Sequence, residues 1–125
     1  MKLLSRESTG LLVVDVQEKL MPVMGKKQRV IDNIITLLKL SKIFELPVIL
    51  TEQYPKWLGP TIPEIREHLL DVEPFTKYHF NCCDAEGFND PLDSGGFKNL
   101  IVTGVESHIC IYQTCVSISG RGYQV

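Results

Sequence analysis

The chain has 125 residues, an apolar fraction of 44% and a formal charge of −2 at neutral pH. That length suits one domain with its own core, and the slightly acidic balance argues against nucleic acid, which calls for a basic face. No apolar run approaches the ~20 residues of a membrane-spanning helix, and the first ten residues hold too short an apolar stretch for a secretory signal.

These exclusions predict a cytoplasmic protein that keeps Cys82, Cys83, Cys110 and Cys115 as thiols. The four form no C-x-x-C pair, and no Cys/His spacing suits zinc.

In chain order, Leu11 to Val14 is a short continuous apolar run ending at Asp15. That is the pattern of a strand buried on both faces of a parallel sheet. Val30, Ile31, Ile34, Ile35, Leu37 and Leu38 then recur at helical spacing and predict a helix from Lys26 to Phe44. Leu46 to Thr51 reads as a second buried strand, with Pro47 tolerated at its start. Strand, helix and strand make a βαβ unit, whose right-handed crossover sets the two strands parallel.

A loop dense in Pro, Gly and aromatics runs from Glu52 to Pro60. Thr61 and Glu64 stand in capping-box spacing ahead of Ile65 and Leu69 and predict a short helix. Phe75 to Lys77 reads as a third strand. Cys82 to Gly96 is polar and broken, with room for one turn of helix at most. Asn99 to Thr103 is a fourth buried strand, followed by a helix from Ser107 to Ser119 that Gly120 stops in the left-handed conformation. Tyr123 opens one more strand. The fold class is therefore α/β, a three-layer Rossmann-like parallel sheet, with residues 1–125 as one domain.

In an open parallel sheet, functional groups gather at the carboxyl ends of the strands. Asp15, Lys77 and the segment from Thr103 to Cys110 would meet there. Each has an ordinary structural reading on its own: a turn-forming Asp, a solvated Lys, a small buried Cys. Together they have a chemical one. With Ser107 as N-cap, Cys110 falls in the first helical turn, where the dipole and free N–H groups favour a thiolate. A lysine beside it adds to that, and a carboxylate can take the thiol proton. His108 lies two residues from Cys110 and points elsewhere on a helix. Cys115 reads as core, and Cys82 and Cys83 as incidental small residues. A non-catalytic scaffold or binding protein of the same fold is the alternative.

The segments Leu11 to Gln17, Phe75 to Phe80 and Val102 to Ile111, in this order, resemble the isochorismatase-like hydrolases, or cysteine hydrolase family. Val48 to Ile65 is similar to the subgroup called isochorismatase domain-containing proteins. The resemblance spans about Leu11 to Val125. It implies an Asp-Lys-Cys triad, with Asp15 as general base, Lys77 orienting Asp15 and favouring the thiolate, and Cys110 as nucleophile.

It also implies a non-proline cis peptide between Val105 and Glu106, with the N–H groups of Glu106 and Cys110 facing the oxyanion. Gln17, Gln53 and Trp57 are candidates for the wall of a pocket for a small-molecule amide or imide. The resemblance implies no cofactor, and a homo-oligomer. Two departures matter. Metal-holding relatives, the nicotinamidases, carry an Asp-x-His after the second strand, where this chain has Gln53 and no His until His68, so neither a metal nor nicotinamide is expected. The family's usual last strand and helix are also missing, so the fold reads as C-terminally incomplete: either the sequence is a fragment or its edge is covered by another subunit.

Overall fold

The structure, a computed structural model, describes residues 2–125. Four parallel strands form its sheet: β1 (Thr9–Val14), β2 (Val48–Gln53), β3 (Phe75–Lys77) and β4 (Asn99–Gly104), in the order β3-β2-β1-β4. β1 is central and buried along its whole length, which is why its sequence is a continuous apolar run. Successive side chains of a strand face opposite sides. Leu11 and Val13 accordingly pack with Ile31, Ile34 and Leu38 of α1 (Lys27–Ile43). Leu12 and Val14 pack on the other face with Phe88, with Leu92 of α4 (Asn89–Ser94) and with Ile118 of α5 (Tyr112–Gly120). The result is helix, sheet and helix, as expected from the sequence. No helix among the described residues is long and apolar enough to cross a membrane.

The carboxyl end of β4 is pressed onto β1. Val14 pairs with Gly104, whose φ is +126°, and a Cβ there would stand 2.0 Å from the Val14 carbonyl oxygen. Only glycine fits, and this approach delivers the segment after β4 to Asp15. At the amino end of the same strand, Gln124 bridges to Asn99 in parallel, with Leu100 N donating to Gln124 O at 2.9 Å. The fifth strand expected from Tyr123 thus begins beside β4. The Arg121 guanidinium holds both carboxylate oxygens of Asp93 at 3.0 Å and secures this tail.

Several local expectations are corrected. Thr61 makes no capping box: its N–H and hydroxyl both donate to Glu52 Oε2, at 2.6 and 2.7 Å. A buried carboxylate needs donors more than a four-residue helix needs a cap, so α3 (Pro63–Arg66) starts instead from Ile62 with Pro63 in its first turn. Ser107 is no N-cap either. Ser107 to Ile111 winds as a π-helix entered from Glu106, and α-helical geometry starts only at Tyr112. Gly120 ends α5 in helical conformation, and the left-handed glycine is Gly122, at φ +93°. Cys82 to Gly96 holds more order than its polarity suggested, because Phe88 and Leu92 anchor α4 to the core. Cys115, expected in the core, is only half-buried, in a groove formed by α5 and β4.

Candidate active site

The ends of all four strands contribute to one buried cluster. Asp15, just past β1, has a left-handed backbone, φ +53°. Its carboxylate is fully buried at 0% exposure. The Thr51 hydroxyl on β2 donates to Asp15 Oδ1 at 2.9 Å, and Lys77 Nζ stands 2.7 Å from Oδ2. Lys77 ends β3, two strands away from β1. Adjacent strands lie ~4.8 Å apart, so a long aliphatic stem is needed to cross β2 beneath the surface, and Lys77 too is 0% exposed. Its ammonium also donates to Gln53 Oε1 at 2.6 Å, to the carbonyls of His79 and Phe80 at 3.0 and 3.2 Å, and to Cys110 Sγ at 3.5 Å. Asp15, Lys77 and Cys110, distant in sequence, are therefore in one contact cluster.

The segment that carries Cys110 leaves β4 through a cis peptide bond between Val105 and Glu106. The Glu106 N–H donates to no group among the described residues, whereas its carbonyl accepts from Ile109 and Ile111 N at 3.2 Å. His108 is exposed and takes no part in the cluster.

Electrostatics correct one expectation. Burial pushes the Cys110 thiol above its ordinary range, the Asp15 charge raises it further, and Lys77 opposes both. Burial also raises the Asp15 carboxyl, against the pull of Lys77. One ammonium thus faces two groups that can share a single negative charge. The carboxylate lies closer to it than the sulfur does. The expected lowering of the thiol is thus reversed in direction, with the sulfur in a π-wound segment that runs directly into α5.

The candidate pocket residues separate. Gln17 is fully buried, and its amide is spent on backbone: Nε2 donates to the Gln53 and Gly59 carbonyls at 2.9 and 2.8 Å, and Oε1 accepts from Gln53 N at 2.7 Å. It braces the loop after β2 and presents no surface to a ligand. Gln53 reaches the cluster through Lys77. Trp57, on α2 (Pro55–Leu58), is 67% exposed.

Sequence reasoning assigned no role to Thr51. Its signal was its place opposite Val14, next to Asp15, in the β1–β2 register. Nor did it assign one to Cys82, which is fully buried. Cys82 N donates to Thr114 Oγ1 at 3.0 Å and its sulfur lies 3.9 Å from Thr51 Oγ1. Among the described residues no three His, Cys, Asp or Glu side chains come together as a metal site. An apolar cavity of about 410 Å³, lined in part by Leu11, Leu37, Phe44 and Ile101, opens at the amino-terminal end of the strands, away from these groups.

Residues 9–125 match the isochorismatase domain family. The chain belongs to that family. It is 36% identical over 122 residues to isochorismatase domain-containing protein 2 of Danio rerio, an alignment covering 98% of this chain and 61% of that protein. Among solved structures, the MAR1 ribonuclease of Caenorhabditis elegans superposes with a TM-score of 0.89 at 32% identity, over 96% of this chain and 62% of the other. YcaC of Escherichia coli, an octameric hydrolase of unknown specificity, superposes with a TM-score of 0.89 at 27% identity, over 96% and 61%. This isochorismatase-family chain thus spans about three-fifths of the length of these relatives.

Proposed function

We propose that this isochorismatase-family chain is a cysteine hydrolase that cleaves a small amide, imide or related C–N bond through a thioester-type intermediate on Cys110. The observation that carries the reading is the Lys77 ammonium, buried between the Asp15 carboxylate at 2.7 Å and the Cys110 sulfur at 3.5 Å. Burying an ion pair is costly, and apolar residues of the same volume often serve stability as well or better. A scaffold has no use for such a pair beside a thiol, whereas a nucleophile has.

As a substrate carbonyl approaches, Asp15 takes the Cys110 proton and Lys77 shifts its attraction to the sulfur anion. The thiolate forms a C–S bond, and the carbonyl π pair moves to oxygen, which the Glu106 and Cys110 N–H groups receive. Collapse breaks the C–N bond, and the amine leaves with the proton from Asp15. A water then gives a proton to Asp15 and its oxygen to the thioester, which releases the acid and restores the thiol. The carboxyl of Asp15, raised by burial, is suited to holding a proton for part of the cycle.

We assign the chain to the cytoplasm as a homo-oligomer, an assembly in line with octameric YcaC. Incubation with a panel of small amides, followed by intact-mass measurement, tests the chemistry. An acyl adduct is expected on wild-type protein and absent from Cys110→Ser. An adduct that survives Cys110→Ser would place the chemistry elsewhere and end the proposal.

A further inference from the structure

Lys77 is surrounded by more acceptors than it has protons. An ammonium has three N–H bonds. Five acceptors face this one: Gln53 Oε1 at 2.6 Å, Asp15 Oδ2 at 2.7 Å, the His79 and Phe80 carbonyls at 3.0 and 3.2 Å, and Cys110 Sγ at 3.5 Å. Gln53, the two carbonyls and the sulfur accept the ammonium's hydrogen bonds, Gln53 at the shortest distance, while Asp15 Oδ2 accepts none and faces it as the ion-pair partner. Gln53 therefore holds the lysine as closely as its ion-pair partner does.

The two holders differ in kind. The grip of Asp15 depends on its charge, and it loses that charge whenever it carries a proton. Gln53 is neutral, so its grip does not change. It is also immobilised. Gln17 Oε1 accepts from its backbone N–H at 2.7 Å, and Gln17 Nε2 donates to its carbonyl at 2.9 Å and to Gly59 O at 2.8 Å. Its amide can face an ammonium only through oxygen, which sets the side-chain orientation.

We propose that Gln53 is a positioning residue, a neutral tether that keeps the Lys77 ammonium beside Cys110 while the thiol proton resides on Asp15. The inference rests on the cysteine-hydrolase reading above. When Cys110 gives its proton to Asp15, the Asp15–Lys77 pair ceases to be ionic. With Asp15 as its sole strong partner, Lys77 would then be free to drift. Held by Gln53, it stays, and its charge is available to the new thiolate. A carboxylate at position 53 would claim that charge for itself, so the site needs an acceptor that is polar and uncharged.

The test uses Gln53→Glu, Gln53→Met and Lys77→Ala in the chain as it stands. Two quantities are read: the pH profile of Cys110 alkylation by iodoacetamide, located by peptide mass, and solvent exchange of the Lys77 ammonium protons by NMR. Gln53→Glu is expected to move the Cys110 profile upward by roughly one pH unit or more, the effect of an added carboxylate on a neighbouring acid, and so to slow labelling near neutrality about tenfold. Gln53→Met is expected to move it upward by less and to speed exchange of the Lys77 protons.

Wild-type profiles and exchange rates in both Gln53 variants would overturn the tether. An unchanged Cys110 profile in Lys77→Ala would instead sink the catalytic reading, while the exchange rates would still judge the tether. If Gln53→Met does not fold, the near-isosteric Gln53→Glu carries the test alone.

Discussion

The Thr51 hydroxyl donates to Asp15 Oδ1 at 2.9 Å, inside the protein, from the strand next to the one that Asp15 ends. This bond and the Lys77 contact give each oxygen of a fully buried carboxylate one polar neighbour. Thr51→Val keeps the shape and deletes the donor. Leaving a buried charged acceptor short of a partner costs about 1–3 kcal/mol, so urea denaturation is expected to show a loss of that order, and Thr51→Ser to recover most of it. A Thr51→Val protein as stable as wild type would mean that Asp15 does not need the bond.

Asp15 and Lys77 act on the Cys110 thiol with opposite sign. Asp15 raises it and Lys77 lowers it, both on top of the rise due to burial. Since only the thiolate is alkylated, wild-type Cys110 is expected to label slowly at neutral pH and faster as pH rises, with a midpoint above the ordinary thiol range. Asp15→Asn is expected to shift that midpoint down, and Lys77→Ala to shift it further up. A shift in the same direction for both variants would contradict the arrangement.

Cys82 should behave differently from the other thiols. It is fully buried, and burial pushes its thiol up to about 12. Native-state labelling with iodoacetamide is expected to modify half-buried Cys83 and Cys115 and to leave Cys82 untouched until denaturant unfolds the chain. Tryptic mapping of the labelled protein reads this directly. Modification of Cys82 at the rate of Cys115 would show that the layer beneath the cluster opens.

Gly104 tests how the segment carrying Cys110 is aimed. A methyl group there meets the Val14 backbone, and its φ of +126° is one that side chains avoid. Gly104→Ala is expected to cost about 3 kcal/mol or more from combined strain and overpacking, seen as a large fall in Tm. Gly120→Ala, which meets nothing within 4 Å and has ordinary helical backbone, is the control and is expected to leave Tm unchanged or raised. Equal effects from the two would show that the close approach to β1 does not matter.

What was legible in the sequence was whatever repeats along it or stands next to it. The apolar run from Leu11 to Val14 could satisfy its surroundings only as a buried parallel strand. The spacing of Ile31, Ile34 and Leu38 needed a helix over its face, and strand ends had to gather Asp15, Lys77 and the approach to Cys110. The resemblance to the isochorismatase-like hydrolases, read from three short segments, named the same family that residues 9–125 match.

What only tertiary structure decided was competition among partners. Thr61 had a local use as a helix cap, and the buried Glu52 carboxylate took it. Gln17 looked like a ligand contact and became a brace for Gln53. Burial and the Asp15 charge raise the Cys110 thiol, and Lys77 opposes them from β3, two strands away from β1. Local pattern settles where a strand or helix can form, because backbone geometry repeats. Which donor meets which buried acceptor depends on distances across the sheet, and no spacing along the chain encodes those.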